Sequence, residues 1–233
     1  GPVRIVICNA AVLFFGLFME LTQQQLQKAI DVNILGTINT IRAFLGRMEK
    51  RNTGHVVVVS SIAGHAGDTF GLAYCPTKFA VRGVIECLEM ELRDRGIHGI
   101  ACTTLCPYFA RTPMILNAGM RPTSTLFPFM SIDSCSRRMV DAILKEKVIA
   151  FIPNYVTWAA MLRPLSSLRV RVSLRDFLNC RYEPVAGSSS PRLLSRMADV
   201  FRPVHFVWWF IIPPALIINF VGSLHSMNGK SSQ

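Results

Sequence analysis

Charged residues are scarce in this chain, and acidic residues are the scarcest of them. Only 17% of the 233 residues are charged, with 14 Asp and Glu against 25 Lys and Arg, whereas 51% are hydrophobic. The mean hydropathy of +0.36 is high for a soluble domain and favours attachment to a membrane. A net charge of +11 is also common in nucleic-acid-binding proteins. Here, however, the basic residues lie beside apolar segments, so attraction to anionic lipid headgroups fits better, and we expect no nucleic-acid partner.

Metal-ligand and disulfide patterns are missing as well. No His-x-x-x-His occurs, and the pair Cys102 and Cys106 has no second ligand pair to complete a site, so we expect no metal. The seven cysteines are an odd number, and most of them fall in predicted strands or helices. That distribution favours reduced thiols in a cytosol-facing domain over a disulfide framework.

Apolar runs alternate with helical patterns over the first two thirds of the chain. Four runs without polar alternation are typical of parallel strands buried on both faces, at residues 3–8, 55–60, 100–105 and 148–152. Helices are predicted between them at residues 22–48, 73–95 and 134–147. This alternation predicts an α/β fold with a doubly wound, Rossmann-like parallel sheet over residues 1–153.

Tyr74 and Lys78 point most directly to chemistry. Side chains four positions apart share one face of a helix, so the ammonium of Lys78 would lie beside the phenol of Tyr74 and lower its pKa from about 10. Ser61, at the end of a predicted strand, would hydrogen-bond the same substrate oxygen. Together these groups can remove a proton from an alcohol while hydride leaves its carbon. Neighbouring strand residues face opposite ways, so Ser60 is an alternative to Ser61.

Five ordered motifs resemble the short-chain dehydrogenase/reductase family. They are Val6-Ile-Cys-Asn9-Ala-Ala11, Asp31-Val-Asn33-Ile-Leu-Gly36, Gly54-His-Val-Val-Val-Val-Ser-Ser61-Ile-Ala-Gly64, Ala73-Tyr-Cys-Pro-Thr-Lys78 and Leu105-Cys-Pro107-Tyr-Phe-Ala-Arg-Thr112. The resemblance implies a catalytic tetrad, formed by Asn33, Ser61, Tyr74 and Lys78. It also implies residues that contact the cofactor, NAD or NADP with NAD slightly preferred: Asn9, Tyr74, Lys78, Pro107 and Thr112.

The resemblance also assigns roles within the tetrad. Tyr74 would be the general base in oxidation and the acid in reduction, and Lys78 would also hold the nicotinamide ribose. Asn33 would hold a water that links Lys78 to solvent. Two alternatives stay open, because Asn33 could simply bond backbone across the sheet and Thr112 could cap a helix.

Three further stretches are similar to the membrane-associated branch of the family, which contains epidermal-type retinol dehydrogenases and lipid-droplet 17-beta-hydroxysteroid dehydrogenases. They are residues 72–80, 106–109 and 142–153. That branch implies a lipophilic alcohol, retinol- or steroid-like, interconverted with its carbonyl. It implies a location at the endoplasmic reticulum membrane or a lipid droplet, with the catalytic portion facing the cytosol. A homodimer is also expected from the resemblance.

The character of the chain changes after Pro153. Residues 154–182 are lipophilic and basic, like the segment that relatives place near the substrate entrance and the bilayer; a core-packing helix with a solvated basic face is the alternative. Residues 183–202 are predicted to be a linker. Residues 203–222 are apolar and just long enough for a membrane-associated helical segment, either a span kinked at Pro213 and Pro214 or a half-inserted anchor. A tail follows at residues 223–233.

The chain has no Thr-Gly-x-x-x-Gly-x-Gly turn, with which relatives begin. Glycines in that turn let the backbone approach the pyrophosphate at a helix N-terminus. The resemblance therefore implies that the N-terminal cofactor-binding portion is missing and that residues 1–153 are a partial domain. We expect residues 1–233 alone to bind NAD(H) weakly or not at all. Two hypotheses stay open: the catalytic part of a membrane-bound dehydrogenase, or a truncated non-catalytic remnant unable to bind dinucleotide.

Overall fold

Strands and helices alternate along the protein. The computed structural model describes residues 1–118, 120–122, 124, 128–177 and 182–184. The strands are β1 (Ile5–Cys8), β2 (Gly54–Val59), β3 (Ile100–Pro107), β4 (Met120–Pro122), β5 (Ile149–Ile152) and β6 (Tyr182–Pro184). The α-helices are α1 (Gln23–Ala29), α2 (Gly36–Arg51), α3 (Cys75–Asp94), α4 (Pro113–Leu116), α5 (Ile132–Leu144), α6 (Val156–Leu162) and α7 (Leu168–Phe177). Shorter turns are a π-helical turn (Ile30–Leu35) and two 3₁₀ turns (Ile62–Gly64 and Arg163–Leu165).

A four-stranded parallel sheet forms the core of the described part of the chain. Its strands lie in the order β1, β2, β3, β5, and every neighbouring pair is parallel. Val56 and Val58 of β2 face α2 and α3, where they pack near Ile41 and Ile85. Val57 points to the opposite face, which α5 covers.

Both faces of β2 and β3 are buried, so these strands show no polar alternation. In β1 only one face is buried, because Ile5 and Ile7 are 44% and 49% exposed; the prediction that residues 3–8 are buried on both faces is wrong. The predicted Rossmann-like α/β sheet is confirmed.

The predicted helix 22–48 is interrupted in the structure. It begins with a capping box, in which Thr22 Oγ1 accepts from the Gln25 N–H and the Gln25 side chain accepts from the Thr22 N–H. The seven-residue helix α1 is followed by the π turn that contains Asn33, and α2 then runs to Arg51. Hydrophobic periodicity did not reveal this turn, because apolar residues recur every three or four positions from Leu26 to Ile41, as in one continuous helix. π turns are rare and are frequent at functional sites.

The region after β5 combines packed and exposed apolar residues. In α6, Val156 and Ala160 are buried near Phe151. By contrast, Trp158 is 71% exposed and Leu165 is 85% exposed. One side of α6 thus packs on the core, as the alternative of a core-packing helix expects, and the other side presents large apolar groups to the outside. Contact of residues 154–182 with a bilayer stays a prediction.

A small antiparallel ribbon pairs β4 with β6. The sequence patterns did not predict it, and the first two residues of the predicted linker 183–202 belong to β6. The remainder of that linker, the apolar stretch 203–222 and the tail 223–233 lie outside the described residues. Within the described ranges, every helix is too short or too polar to cross a bilayer.

Leu105→Ala should test the packing of the central sheet. Leu105 is fully buried in β3, so its truncation should leave a cavity and lower the free energy of unfolding by about 3 kcal/mol. Leu144→Ala is the matched control, because Leu144 is 74% exposed at the end of α5; its effect should stay within about 0.5 kcal/mol. Urea unfolding measures both. Equal losses for the two variants would contradict the position of the core.

Candidate active site

The carboxyl ends of three strands bring the predicted site residues to one edge of the sheet. Asn9 follows β1, Ser61 comes two residues after β2, and Pro107 ends β3. In parallel sheets the carboxyl ends of the strands meet at this edge, where ligands bind. The start of α3 adds Tyr74 and Lys78 to the same region, since the Lys78 ammonium reaches the end of β2.

Ser61, rather than Ser60, faces the site. The Ser61 hydroxyl lies 3.4 Å from the Pro107 carbonyl, to which it donates, and it also hydrogen-bonds Tyr74. Ser60 is almost fully buried and donates instead to the Lys78 carbonyl at 2.9 Å. The alternation of adjacent residues thus gives the two serines different partners.

Gly64 allows the turn after Ser61 to lie directly on α3. A Cβ at this position would come within 2.5 Å of Ser60 Oγ and 2.8 Å of the Lys78 carbonyl oxygen. Any larger residue would push the turn away from the helix. The absence of a side chain at Gly64 therefore helps to set the separation between Ser61 and the helix that follows Tyr74.

Tyr74 is the residue immediately before α3, which begins at Cys75, two positions later than predicted. Its carbonyl accepts the Lys78 N–H at 3.2 Å, so the spacing of four residues forms the first helical hydrogen bond. Lys78 is buried, and its Nζ lies 5.4 Å from the centroid of the Tyr74 ring. The same ammonium donates to the Val59 carbonyl at 2.8 Å. The two side chains therefore lie close together at the end of β2.

Burial controls the ionisation of both groups. It raises the pKa of Tyr74 to about 12, although the hydrogen bond with Ser61 acts in the opposite direction. Burial lowers the pKa of Lys78 to about 8. The expectation that Lys78 lowers the pKa of Tyr74 differs from the structure, because both groups lose hydration and the ammonium is directed at the Val59 carbonyl. In this state Tyr74 is a proton donor.

Asn33 ties the loop after β1 to the first turn of α3. Its Oδ1 accepts the Val12 N–H at 2.8 Å, and its Nδ2 donates to the Val12 carbonyl and to Thr77 Oγ1. Thr77 in turn donates to the Tyr74 carbonyl at 2.7 Å. Of the two alternatives, bonding of the backbone is what this fully buried side chain does. The water-holding role of Asn33 stays a prediction.

The predicted cofactor residues Asn9 and Thr112 are less closely connected to Ser61, Tyr74 and Lys78. Asn9 is exposed after β1. Thr112 stands at the N-cap position of α4 without a capping bond from its side chain, and its N–H donates to the Ala110 carbonyl. In the described part of the chain, neither residue hydrogen-bonds to Ser61, Tyr74 or Lys78. Their contact with a cofactor stays a prediction.

An apolar wall and a cleft beside the site were not predicted. The wall is a chain of aromatic contacts with ring centroids 5.1–5.9 Å apart, formed by Phe15, Tyr108, Phe109, Phe129 and Tyr182. The cleft, of about 880 Å³, is lined by residues that include Phe18, Asp68, Phe70, Cys75, Phe79 and Arg175. Both features join residues far apart in the sequence, so no local pattern could have indicated them.

Lys78 should titrate near pH 8 in the folded protein, because its burial disfavours the ammonium. The unfolded chain keeps the ordinary, higher lysine pKa and binds more protons between the two values. The free energy of unfolding should therefore rise between about pH 8 and about pH 10. An NMR titration of lysine Cε resonances measures the pKa, and Lys78→Met should remove both the signal and this rise in stability. A Lys78 pKa above 10 would contradict the burial of its ammonium.

Comparisons with known proteins agree with this fold. A family model described as short chain dehydrogenase matches residues 1–122. The short-chain dehydrogenase from Sphingobium yanoikuyae in complex with NADPH superposes with a TM-score of 0.58 at 21% identity, covering 81% of this chain and 68% of that one. The alcohol dehydrogenase from the archaeon Thermococcus sibiricus complexed with 5-hydroxy-NADP gives 0.54 at 23% identity, covering 65% and 63%. These two structures share the fold.

Curated relatives have higher identity. The chain is 33% identical over 187 residues to 17-beta-hydroxysteroid dehydrogenase 13 of Homo sapiens, covering 80% of this chain and 61% of the relative. It is 34% identical over 187 residues to estradiol 17-beta-dehydrogenase 11 of Homo sapiens, with the same coverage. The chain thus spans about three fifths of the length of these relatives. The parallel sheet, the ordered motifs and a family model that matches more than half of the 233 residues together mean that this chain belongs to the short-chain dehydrogenase family.

Proposed function

We propose that this chain carries the catalytic residues of an NAD(P)-dependent oxidoreductase that interconverts a lipophilic alcohol and its carbonyl compound. The observation that carries the proposal is the meeting of three polar side chains at the carboxyl edge of the sheet. Tyr74 hydrogen-bonds Ser61, and the Lys78 ammonium lies 5.4 Å from the phenol ring. A hydroxyl, a phenol and an ammonium in this arrangement suit proton transfer at an alcohol oxygen.

In reduction, Tyr74 donates its proton to the carbonyl oxygen as that oxygen becomes an alcohol. Ser61 donates a hydrogen bond to the same oxygen and so orients it. In oxidation, Tyr74 takes the hydroxyl proton, for which its pKa must fall below the value of about 12 that burial imposes here. A nicotinamide dinucleotide, when bound, supplies or accepts the hydride.

The donor set of the chain fits the nicotinamide-ribose end of such a cofactor. Lys78 and Tyr74 offer an ammonium and a hydroxyl at the end of β2, the strand that lies between β1 and β3. Pro107 and Thr112 would line the same side. Residues 1–233 contain no glycine-rich turn of the kind that holds a pyrophosphate. A preference for NAD over NADP remains a hypothesis drawn from the resemblance.

A lipophilic substrate is supported by the walls of the site and by the relatives. Phe18, Phe70 and Phe79 line the cleft next to the start of α3. The two human relatives are named for hydroxysteroid and estradiol substrates. Retinol-like and steroid-like alcohols are therefore the first compounds to test.

Tyr74→Phe should abolish turnover while leaving dinucleotide affinity nearly unchanged. The substitution removes only the hydroxyl that transfers the proton, so kcat in the natural full-length protein should fall at least about a hundredfold. Tyr155→Phe is the control, because Tyr155 lies after β5 and is half exposed. Turnover and dinucleotide binding are measured separately.

Substantial turnover by Tyr74→Phe would contradict the acid–base role. A full-length protein that binds no dinucleotide would instead favour the alternative hypothesis of a non-catalytic remnant.

We also propose that the protein works at a membrane or lipid-droplet surface, with the endoplasmic reticulum as the expected location. The support is the exposure of Trp158, Leu165 and Leu168 around α6 and α7. Arg169 and Arg171 are exposed in α7, next to Leu168. Apolar groups flanked by arginines suit an interface with anionic lipid headgroups.

Replacing Arg169 and Arg171 by Gln should weaken binding to vesicles that contain phosphatidylserine. Each arginine near a lipid surface contributes about 1 kcal/mol, so the pair should change the affinity about thirtyfold at low salt. The control double variant replaces Arg42 and Arg47, which are exposed in α2. Vesicle co-sedimentation measures both proteins. An equal loss in the control would mean that net charge, rather than this surface, drives binding.

A further inference from the structure

We infer that Arg175, in α7, is a positioning residue for Tyr74. It acts through the loop of residues 67–72, which connects the Ser61 turn to Tyr74. This inference rests on the proposed function, because it gives the basic segment a part in the site in addition to any contact with lipid.

Arg175 holds the loop by its side chain. Its Nη2 lies 3.2 Å from Asp68 Oδ1 and 2.7 Å from Thr69 Oγ1, to which it donates. The Asp68 carboxylate also accepts the Thr69 N–H at 2.8 Å. Both members of the ion pair are partly buried, so solvent screens them less than it screens a pair on the open surface. The guanidinium therefore fixes two consecutive residues of the loop.

Backbone hydrogen bonds carry this constraint to Tyr74. The Asp68 carbonyl accepts the Gly71 N–H at 3.1 Å. The Gly71 carbonyl then accepts the N–H groups of Tyr74 and Cys75, at 3.0 and 2.7 Å. A shift of Asp68 consequently moves the turn on which the backbone of Tyr74 is anchored.

Other residues of the C-terminal segment hold the same loop. Arg163 donates to the Gly67 carbonyl at 3.0 Å. The Tyr182 phenol hydrogen-bonds Asp68, and its ring packs between Phe15 and Phe109. We name the contacts of Arg163, Arg175 and Tyr182 with residues 67–69 the loop clamp.

The loop contains a conformation that needs such support. Phe70 has a φ of 63°, in the left-handed region, although it is not glycine. A residue held there costs about 1–3 kcal/mol and persists only where its surroundings determine the backbone. Phe70 is buried at one wall of the cleft. Without the clamp, we expect the strained turn to relax and Tyr74 to lose its alignment with Ser61.

Thiol labelling tests the clamp without any enzyme assay. Cys75 is buried beneath the loop, and a Cβ added at Gly71 would overlap its sulfur. Cys87 is exposed in the same helix and serves as an internal reference. Labelling of the whole chain with N-ethylmaleimide, followed by peptide mass spectrometry, gives the rate ratio of Cys75 to Cys87.

Arg175→Gln and Asp68→Asn should each raise this ratio about tenfold, because local opening of the loop exposes the thiol. Arg171→Gln removes the same charge from the same helix but no hydrogen bond of its side chain among the described residues, so it should leave the ratio unchanged. An unchanged ratio in Arg175→Gln, or an equal rise in Arg171→Gln, would overturn the inference.

Global unfolding can be recognised by the core thiols. Cys102 and Cys106 are buried in β3, and they become reactive only if the sheet opens. If Arg175→Gln opens the sheet, Arg175→Lys becomes the variant that tests the clamp. Lysine keeps the charge beside Asp68 but cannot bond Asp68 and Thr69 together as arginine does. Its ratio should rise above that of the wild-type protein while the core thiols stay protected, and no rise would overturn the inference.

Turnover in the full-length protein tests the effect on Tyr74. Arg175→Gln should lower kcat about tenfold with little change in dinucleotide affinity. It should also move the pH profile of oxidation upward, because the interaction with Ser61 lowers the pKa of Tyr74 and would be weakened. Increased labelling with unchanged kcat and pH profile would overturn the positioning role. Absence of turnover in the wild-type protein would count against the proposed function alone, because the labelling ratio still reports on the clamp.

Discussion

The direct contact between the end of β2 and the backbone of α3 is the constraint on which the rest of the site depends. The Ser60 hydroxyl donates to the Lys78 carbonyl, and Gly64 packs near the same carbonyl because it lacks a Cβ. The 3₁₀ turn after β2 therefore lies directly on the first turn of α3, with almost no side chain between them at Gly64. Ser61 and Tyr74 are brought within hydrogen-bonding reach by this close approach. The polar site is thus built on backbone contacts that few other side chains would permit.

Such close packing has an electrostatic consequence. Burial moves the pKa of Tyr74 upward and that of Lys78 downward, so both groups are pushed toward their neutral forms. Neutral forms avoid the large cost of an isolated charge in an apolar interior. The Val59 carbonyl and the Ser61 hydroxyl offset part of this cost. The resting site is therefore arranged to give a proton, and removal of a proton requires a change in its electrostatic surroundings.

Local patterns predicted the elements that depend on local physics. Strands buried on both faces reveal themselves as unbroken apolar runs, and a spacing of four residues placed Tyr74 and Lys78 together. The π turn at Asn33 was not predicted, because the spacing of apolar residues continues through it without a break. The loop clamp was out of reach for another reason: Arg175 and Thr69 are 106 positions apart. Only the folded chain reveals that an arginine expected to face lipid also bonds the loop before Tyr74.

The two serines after β2 limit how this protein can change during evolution. Insertion or deletion of one residue within β2 would exchange the faces on which every later residue of the strand lies. The hydroxyl of Ser61 would then turn toward the core, and that of Ser60 toward the site. The anchor on the Lys78 carbonyl would be lost at the same moment. Changes in length should therefore accumulate in loops, whereas the length of this strand is fixed by two adjacent hydroxyl groups with different tasks.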